Sequence, residues 1–432
     1  MTTVENQRLH TRKVHAYAAS FSDTLASQLL TSYSSHGDLC LDPFVGASTT
    51  LIQCRLLARP AIGIDIDPIA CLIARVLITR CSNEYLDMLQ RTLSDKLNLA
   101  KLALSKIKIH PDALLPGTRC SLDQFDLKIP PNDNIGFWFS PIQRAVLSAL
   151  VSIATSLDND LSRDITKLAI SSSIVRKWPN TISLARDIDH SRPHKVMKES
   201  ATLESEMRIF ESSFRSVCRT IKKLNELSPD YSGNITILHG DASKIIPTIG
   251  GRVAYVLTSP PYFNAIDYPR AHKFSHWWLF PDDVPLTRQL YVGLRSPDHN
   301  ESYLNDCRAA VPRTYERVIP LQSVSKSLFA SLCQYILDMN SVIRQISRIL
   351  IPGKCVSFVL ANNKIHGLGI PIVDLVSELL SANNFTSTHI TERPLAPERR
   401  RYPFGIHGFK GLMETEYVIT AKLGLSHHTT PS

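Results

Sequence analysis

No stretch of this 432-residue chain approaches the roughly 18 consecutive apolar residues of a membrane-spanning helix. Met1 to Lys13 is polar and mixed in charge and lacks the apolar centre of a secretory signal. Paired cysteines are missing too: nine lie singly from Cys40 to Cys355, with no CxxC anywhere. That odd, unclustered set argues against a disulfide framework or thiolate zinc site and for reduced thiols in the cytoplasm. Fifteen histidines show no HExxH or other regular ligand spacing, so no metal is expected. Internal repeats, low-complexity tracts and a GxGxxG dinucleotide fingerprint are also absent.

What is present is an ordinary globular composition, 44% hydrophobic and 20% charged, enough for a sizeable core. The length suits two or three domains, or one large domain with insertions. A net charge of +9 favours an anionic partner, nucleic acid first.

Leu39 to Leu41 predicts a short strand, closed by the turn Asp42-Pro43-Phe44-Val45-Gly46-Ala47-Ser48-Thr49-Thr50 and a helical pattern. Ala61 to Asp65 predicts a second buried strand, and Pro68 opens another helix from a first-turn position. This alternation is that of a βαβ unit in a parallel sheet. From Asn83 to about Leu227 helical periodicity dominates, as in Leu86-Leu89-Leu93-Leu97, with loops expected at 111–136 and 178–200. Strands return at Ile235 to Leu238 and at Val253 to Leu257. A polar, proline-containing loop is expected at 281–323, and a helix over 325–349 should stop at Pro352-Gly353. Val356 to Leu360 and 384–391 predict further strands, and Glu416 to Thr420 closes a terminal β-hairpin. The expected architecture is α/β, with helices on both faces of the sheet. Residues 1–80 and 231–425 form its two parts, and 81–230 form a mostly helical insertion.

Three acidic strand ends and one stiff tip carry the chemistry. Gly46 lets backbone approach a ligand, and the helix behind it favours a carboxylate. Asp65 ends the second strand, where an acidic side chain can hold both hydroxyls of a ribose. Asp241, in Gly240-Asp241-Ala242, can accept from an adenine amino group. Each of the three alone equally suits a cap or turn. The tip is Thr258-Ser259-Pro260-Pro261-Tyr262: two prolines fix φ and remove two donors, leaving a hydroxyl, carbonyls and an aromatic ring. Such a tip can hold a flat heterocycle; the alternative is a stiff loop with Tyr262 packed on its own domain.

In combination these motifs resemble the S-adenosylmethionine-dependent DNA amino-methyltransferases, a Rossmann-like family acting on exocyclic amino groups. The similarity covers roughly 14–80 and 235–423. Its glycine-containing motif is like Asp42 to Thr50, its ribose acid is like Asp65, and its adenine-side motif is like Asp241-Ala242. Its catalytic motif matches Ser259-Pro260-Pro261-Tyr262. The stretch His15 to Phe21, with Tyr17 and Phe21, is similar to the segment closing over the methionine end of the cofactor. Asp42 and Phe44 complete the cofactor set that the resemblance implies. One departure is Ser48, which stands where a second glycine is common, so its hydrogen bonding to cofactor should differ. Target recognition should lie in the insertion and in 281–323, because few residues follow the final hairpin.

The resemblance implies S-adenosyl-L-methionine as methyl donor and double-stranded DNA as substrate, with a restriction endonuclease acting separately as a possible companion. Ser259 Oγ and the Pro260 carbonyl would accept from the target amino group. Tyr262 would stack on the flipped base, supported by Phe263. Serine before Pro-Pro is similar to cytosine-N4 enzymes, whereas aspartate or asparagine is typical of adenine-N6 enzymes, so cytosine N4 is the expected target. The alternatives are adenine N6, an amino group of structured RNA, or a DNA-binding specificity subunit with a degenerate cofactor site. Basic residues set apart for DNA contact are Arg186, Arg192 and Lys195 in the insertion, Arg270 and Lys273 after the tip, and Arg399, Arg400 and Arg401 near the end.

Overall fold

The computed structural model describes residues 14–17, 21–106, 114–177, 179–186, 201–228, 231–263, 268–282, 291–293, 301–365, 367–395 and 415–425. Its helices are α1 (Asp23–Tyr33), α2 (Thr49–Leu56), α3 (Pro68–Ile78), α4 (Asn83–Ser105), α5 (Ile135–Trp138), α6 (Pro141–Thr155), α7 (Asp160–Ile174), α8 (Leu203–Leu227), α9 (Ala242–Ile245), α10 (Tyr268–Leu279), α11 (Glu301–Ala310), α12 (Pro312–Val318), α13 (Pro320–Val324), α14 (Lys326–Ile349) and α15 (Ile372–Ala382). Its strands are β1 (Cys40–Asp42), β2 (Ala61–Asp65), β3 (Arg119–Leu122), β4 (Phe125–Lys128), β5 (Ile235–His239), β6 (Val253–Thr258), β7 (Leu350–Leu360), β8 (Asn363–Ile365), β9 (Leu368–Ile370), β10 (Phe385–Pro394) and β11 (Thr415–Leu423).

Two compact units divide the chain: residues 1–18, 68–229 and 268–285 form one, and 19–67, 230–267 and 286–432 the other. The second carries a seven-stranded sheet of order β10-β11-β7-β6-β1-β2-β5. From β7 to β5 neighbouring strands are parallel. The β10–β11 pair adds an antiparallel hairpin at one edge. Every residue of β6 is buried, as a central parallel strand between two helical layers requires. Successive side chains alternate faces, so Tyr255 stacks on Tyr33 of α1, with ring centroids 5.8 Å apart. Val256 joins the core of α14 and α15 on the opposite face, with Phe329, Ile336 and Val376. The sheet is thus covered on both faces, as the sequence predicts.

The other unit is largely helical. Leu86, Leu89, Leu93 and Leu97 of α4 are all buried, and α8 buries Met207, Phe210, Phe214, Val217, Ile221 and Leu224 at helical spacing. Local signals fix the starts: Ser140 and Gln143 form a capping box at α6, Asn159 caps α7, and Thr202 caps α8. Helices α3 and α10 belong to this unit together with the insertion. Among the described residues no helix is long and apolar enough to cross a membrane.

Three local expectations need correction. The loop expected at 111–136 contains the β3–β4 hairpin, whose β4 alternates buried Phe125 and Leu127 with exposed Asp126 and Lys128. The region 281–323 is not a loop throughout: α11, α12 and α13 occupy 301–324, and two of them begin at a proline, which suits a first helical turn. Pro352-Gly353 lies inside β7 rather than before it. There the β6–β7 register slips, from Val253 opposite Leu350 to Tyr255 opposite Cys355, and Gly353 takes φ +81° within the irregular stretch.

Candidate active site

The order β6-β1-β2-β5 brings four distant segments side by side at one end of the sheet. Because these strands run parallel, their carboxyl ends share one edge, where open α/β sheets bind ligands. Asp42 ends β1, Asp65 ends β2, His239 ends β5 just before Asp241, and Thr258 ends β6 just before Ser259. All belong to the sheet-bearing unit.

Hydrogen bonds to side chains and to the next strand shape the turn after β1. Phe44 N donates to Asp42 Oδ1 at 3.1 Å, and Val45 N donates to the Ile64 carbonyl at 3.1 Å. Gly46 N donates to Asp65 Oδ2 at 2.8 Å, and Asp67 N donates to Asp65 Oδ1 at 2.9 Å. Asp65 is therefore held in one orientation by two backbone donors while staying partly exposed. Burial, with help from neighbouring Asp67, pushes its carboxyl up to about 7. Gly46 adopts φ +49° and, like Phe44, is partly exposed.

Close packing supports this turn from below. A Cβ on Gly63 in β2 would lie 2.5 Å from Leu51 Cδ1 and 2.6 Å from Val45 Cγ2, so glycine there lets the Leu51 and Val45 side chains pack onto the strand without shifting. Ser48 caps α2 in an unusual way. It has φ +68°, its side chain makes no capping bond, and its Oγ is sealed from solvent without a partner. The expectation that Ser48 alters cofactor hydrogen bonding meets a physical obstacle here, since its hydroxyl is fully buried.

Asp42 is almost completely buried. Its Oδ1 accepts from Thr258 Oγ1 at 2.6 Å. Burial raises its carboxyl to about 6, with the Thr258 and Thr50 hydroxyls and Phe44 N–H pulling the other way. Asp241 caps α9: its Oδ1 accepts from Ser243 N at 2.9 Å and Ser243 Oγ at 2.7 Å. Ala242 is buried behind it. The structure thus gives Asp241 the capping role that its sequence position also allowed.

At the tip, Ser259 and Pro261 are partly exposed, whereas Pro260 and Tyr262 are buried. Ser259 Oγ donates to Tyr262 Oη over a long 3.4 Å, which leaves the serine lone pairs as acceptors. Phe263 is a core residue: its ring packs on Tyr335 at 5.6 Å, and Asn363 Nδ2 binds its carbonyl. It is not placed to support a stacked base.

The remaining predicted residues divide between the units and the undescribed segments. Phe21 is buried before α1 in the sheet unit. Tyr17 belongs to the helical unit, 4.6 Å from the His272 ring and 5.9 Å from that of Tyr268. In the same unit Arg186 is exposed and Arg270 partly so, while Lys273 Nζ sits 4.2 Å over the Trp138 ring, a packing position as much as a phosphate contact. Arg192, Lys195, Arg399, Arg400 and Arg401 lie outside the described residues. Among the described residues no cluster of His, Cys, Asp and Glu could hold a metal ion. Sequence reasoning named Thr258 only as part of the tip and Thr50 only as part of the turn, and gave neither them nor Gly63 a role of their own; the partner of Thr258 lies 216 residues away.

The DNA methylase family profile matches residues 1–75, which hold the Asp42 turn and Asp65. The type II methyltransferase M.MjaII of Methanocaldococcus jannaschii is 24% identical over 346 residues, 66% of this chain. The chain spans 64% of that relative's length. M.AvaI of a Nostoc species is 24% identical over 428 residues, covering 93% of this chain and 84% of the relative. M.MvaI of Kocuria varians is 21% identical over 400 residues, covering 88% and 83%.

Proposed function

We propose that this chain, which belongs to the DNA amino-methyltransferases, methylates the N4 amino group of a cytosine flipped out of double-stranded DNA, with S-adenosylmethionine as donor. The observation that carries this is the parallel order β6-β1-β2-β5, which sets the Ser259 tip beside the Asp42–Gly46 turn and Asp65. The similar proteins carry the name type II methyltransferase; work in the cytoplasm alongside a separate restriction endonuclease belongs to the same proposal.

The donor set fits an adenosine-bearing cation. Asp65 is orientated by two backbone donors to accept from ribose hydroxyls, Phe44 offers a partly exposed ring, and Gly46 admits close backbone approach. When bound, S-adenosylmethionine supplies an electrophilic methyl on sulfur. The protein's task is to prepare the nitrogen. An exocyclic amino lone pair is delocalised into its ring and is a weak nucleophile. Ser259 Oγ and the Pro260 carbonyl accept its two N–H groups, which holds the nitrogen in place and favours the positive charge developing on it. The choice of cytosine rests on the serine before Pro-Pro, which is similar to cytosine-N4 enzymes; the ring nitrogen beside the amino group is an acceptor in cytosine and adenine alike. Tyr262, which the structure leaves only 8% exposed, would have to turn outward to offer its aromatic face, and stacking worth ~1–3 kcal/mol would then offset base extrusion. Arg186 and Arg270 contribute positive charge for phosphates.

The test is incubation of the purified protein with tritiated donor and plasmid DNA or RNA, followed by nucleoside analysis. N4-methylcytosine from DNA is the expected product. N6-methyladenine would overturn the base assignment, labelled RNA the substrate, and no donor binding the enzyme itself. Ser259→Ala should slow transfer roughly 100-fold while leaving donor affinity nearly intact; parallel loss of both would remove Ser259 from the transfer step.

A further inference from the structure

One carboxylate oxygen serves both halves of the site. Asp42 Oδ1 accepts Phe44 N–H, which forms the turn assigned to the cofactor, and it also accepts Thr258 Oγ1–H at 2.6 Å. Thr258 is fully buried and is followed immediately by Ser259. A second tie runs parallel to the first: Thr50 Oγ1, in the first turn of α2, donates to the Leu257 carbonyl at 3.2 Å. β1 and β6 pair only at Cys40–Tyr255 and Leu41–Val256. Beyond Val256, these two hydroxyls tie the end of β6 to the turn and to α2.

We infer that Thr258, assisted by Thr50, is a positioning residue that sets the spacing between the methyl donor held by the Asp42–Gly46 turn and the amino group held by Ser259 and Pro260. The inference rests on the methyltransferase reading above and deepens it. Methyl transfer needs nitrogen, methyl carbon and sulfur in line, and a misplacement of about 1 Å can cost roughly 100-fold in rate. Neither threonine touches donor or base; both act through the segments they join. The tie is short and excluded from water, so little of the site's geometry is left to the loop itself.

Thr258→Val keeps the shape and removes the hydroxyl, while Thr258→Ser restores it. In single-turnover methylation at saturating donor, T258V should be roughly 10- to 100-fold slower, with donor Kd within about threefold of the wild type, and T258S should recover most of the rate. Rates are taken per donor-binding site, so a fraction that fails to fold does not count. Thr50→Val, the milder change, should show the same split to a smaller degree. Hydrogen exchange over 259–263 gives a readout without catalysis: adding S-adenosylhomocysteine should protect this segment in the wild type and not in T258V. An unchanged rate in T258V, equal losses in T258V and T258S, or equal protection in wild type and T258V would overturn the inference. A wild type that binds donor without methylating DNA would fail the functional reading alone, because the exchange comparison still judges the tie.

Discussion

Replacing Ser48 by glycine should stabilise the protein. Ser48 holds φ +68°, a left-handed conformation that costs a residue with a Cβ about 1–2 kcal/mol. Its Oγ is buried with no hydrogen-bond partner, a desolvation cost of about 1–3 kcal/mol. Against these stands the greater freedom of glycine in the unfolded chain, about 0.5–1 kcal/mol. No capping bond is lost, since the serine side chain makes none. The lower ends of the two gains, less the entropic loss, leave about 1 kcal/mol in favour of glycine. Urea unfolding followed by far-ultraviolet circular dichroism measures this as a higher midpoint at unchanged slope. Ser48→Ala separates the contributions: it removes the hydroxyl but keeps the strained φ, so it should gain less than S48G. Donor affinity should stay within about twofold in both variants, because the hydroxyl is sealed away from any ligand. A midpoint lowered by S48G, or a tenfold loss of donor affinity, would show that the hydroxyl has a partner and would refute the reasoning.

Gly63→Ala should cost about 1–3 kcal/mol, read by the same unfolding assay, because its Cβ would sit within 2.6 Å of two buried side chains; an unchanged midpoint would mean that the turn yields freely. Burial pushes the Glu206 carboxyl up to about 7. An acid raised above its unfolded value contributes stability at low pH that is lost as pH rises through its folded pKa. At 1.36 kcal/mol per pH unit between 4.5 and about 7, Glu206→Gln should therefore be up to about 3 kcal/mol more stable than wild type at pH 8 and equal to it at pH 4. Parallel pH profiles for the two proteins would contradict the burial argument.

The fold was readable wherever one local pattern dictated one structure. Leucines at 86, 89, 93 and 97 could bury together only on a helix, and continuous apolar runs bounded by turns became parallel strands. Strand-end acids were visible because a parallel sheet puts its polar residues where the strands stop. Legibility failed where two local signals competed. Prolines at 312 and 320 suggested breaks, yet in a first helical turn proline starts a helix. Pro352-Gly353 likewise suggested a stop, and instead forms an irregular stretch of β7, between Leu350, which pairs with β6, and Cys355, which pairs with both neighbours.

A different limit applies to Asp42. Its sequence position suits a turn, a cap or a ligand contact, and no local pattern separates these. In the structure a single oxygen serves the turn through Phe44 and the neighbouring strand β6 through Thr258, so Asp42 is a turn residue that also holds the end of β6. The second partner is 216 residues away in sequence, beyond the helical insertion. A residue in this position combines burial with a charge that burial opposes, as the rise of its carboxyl to about 6 indicates. Leucine there would avoid that cost and pack as well. What leucine could not supply is one acceptor shared by two segments, and that shared geometry is the physical reason for a short oxygen-bearing side chain at the end of β1.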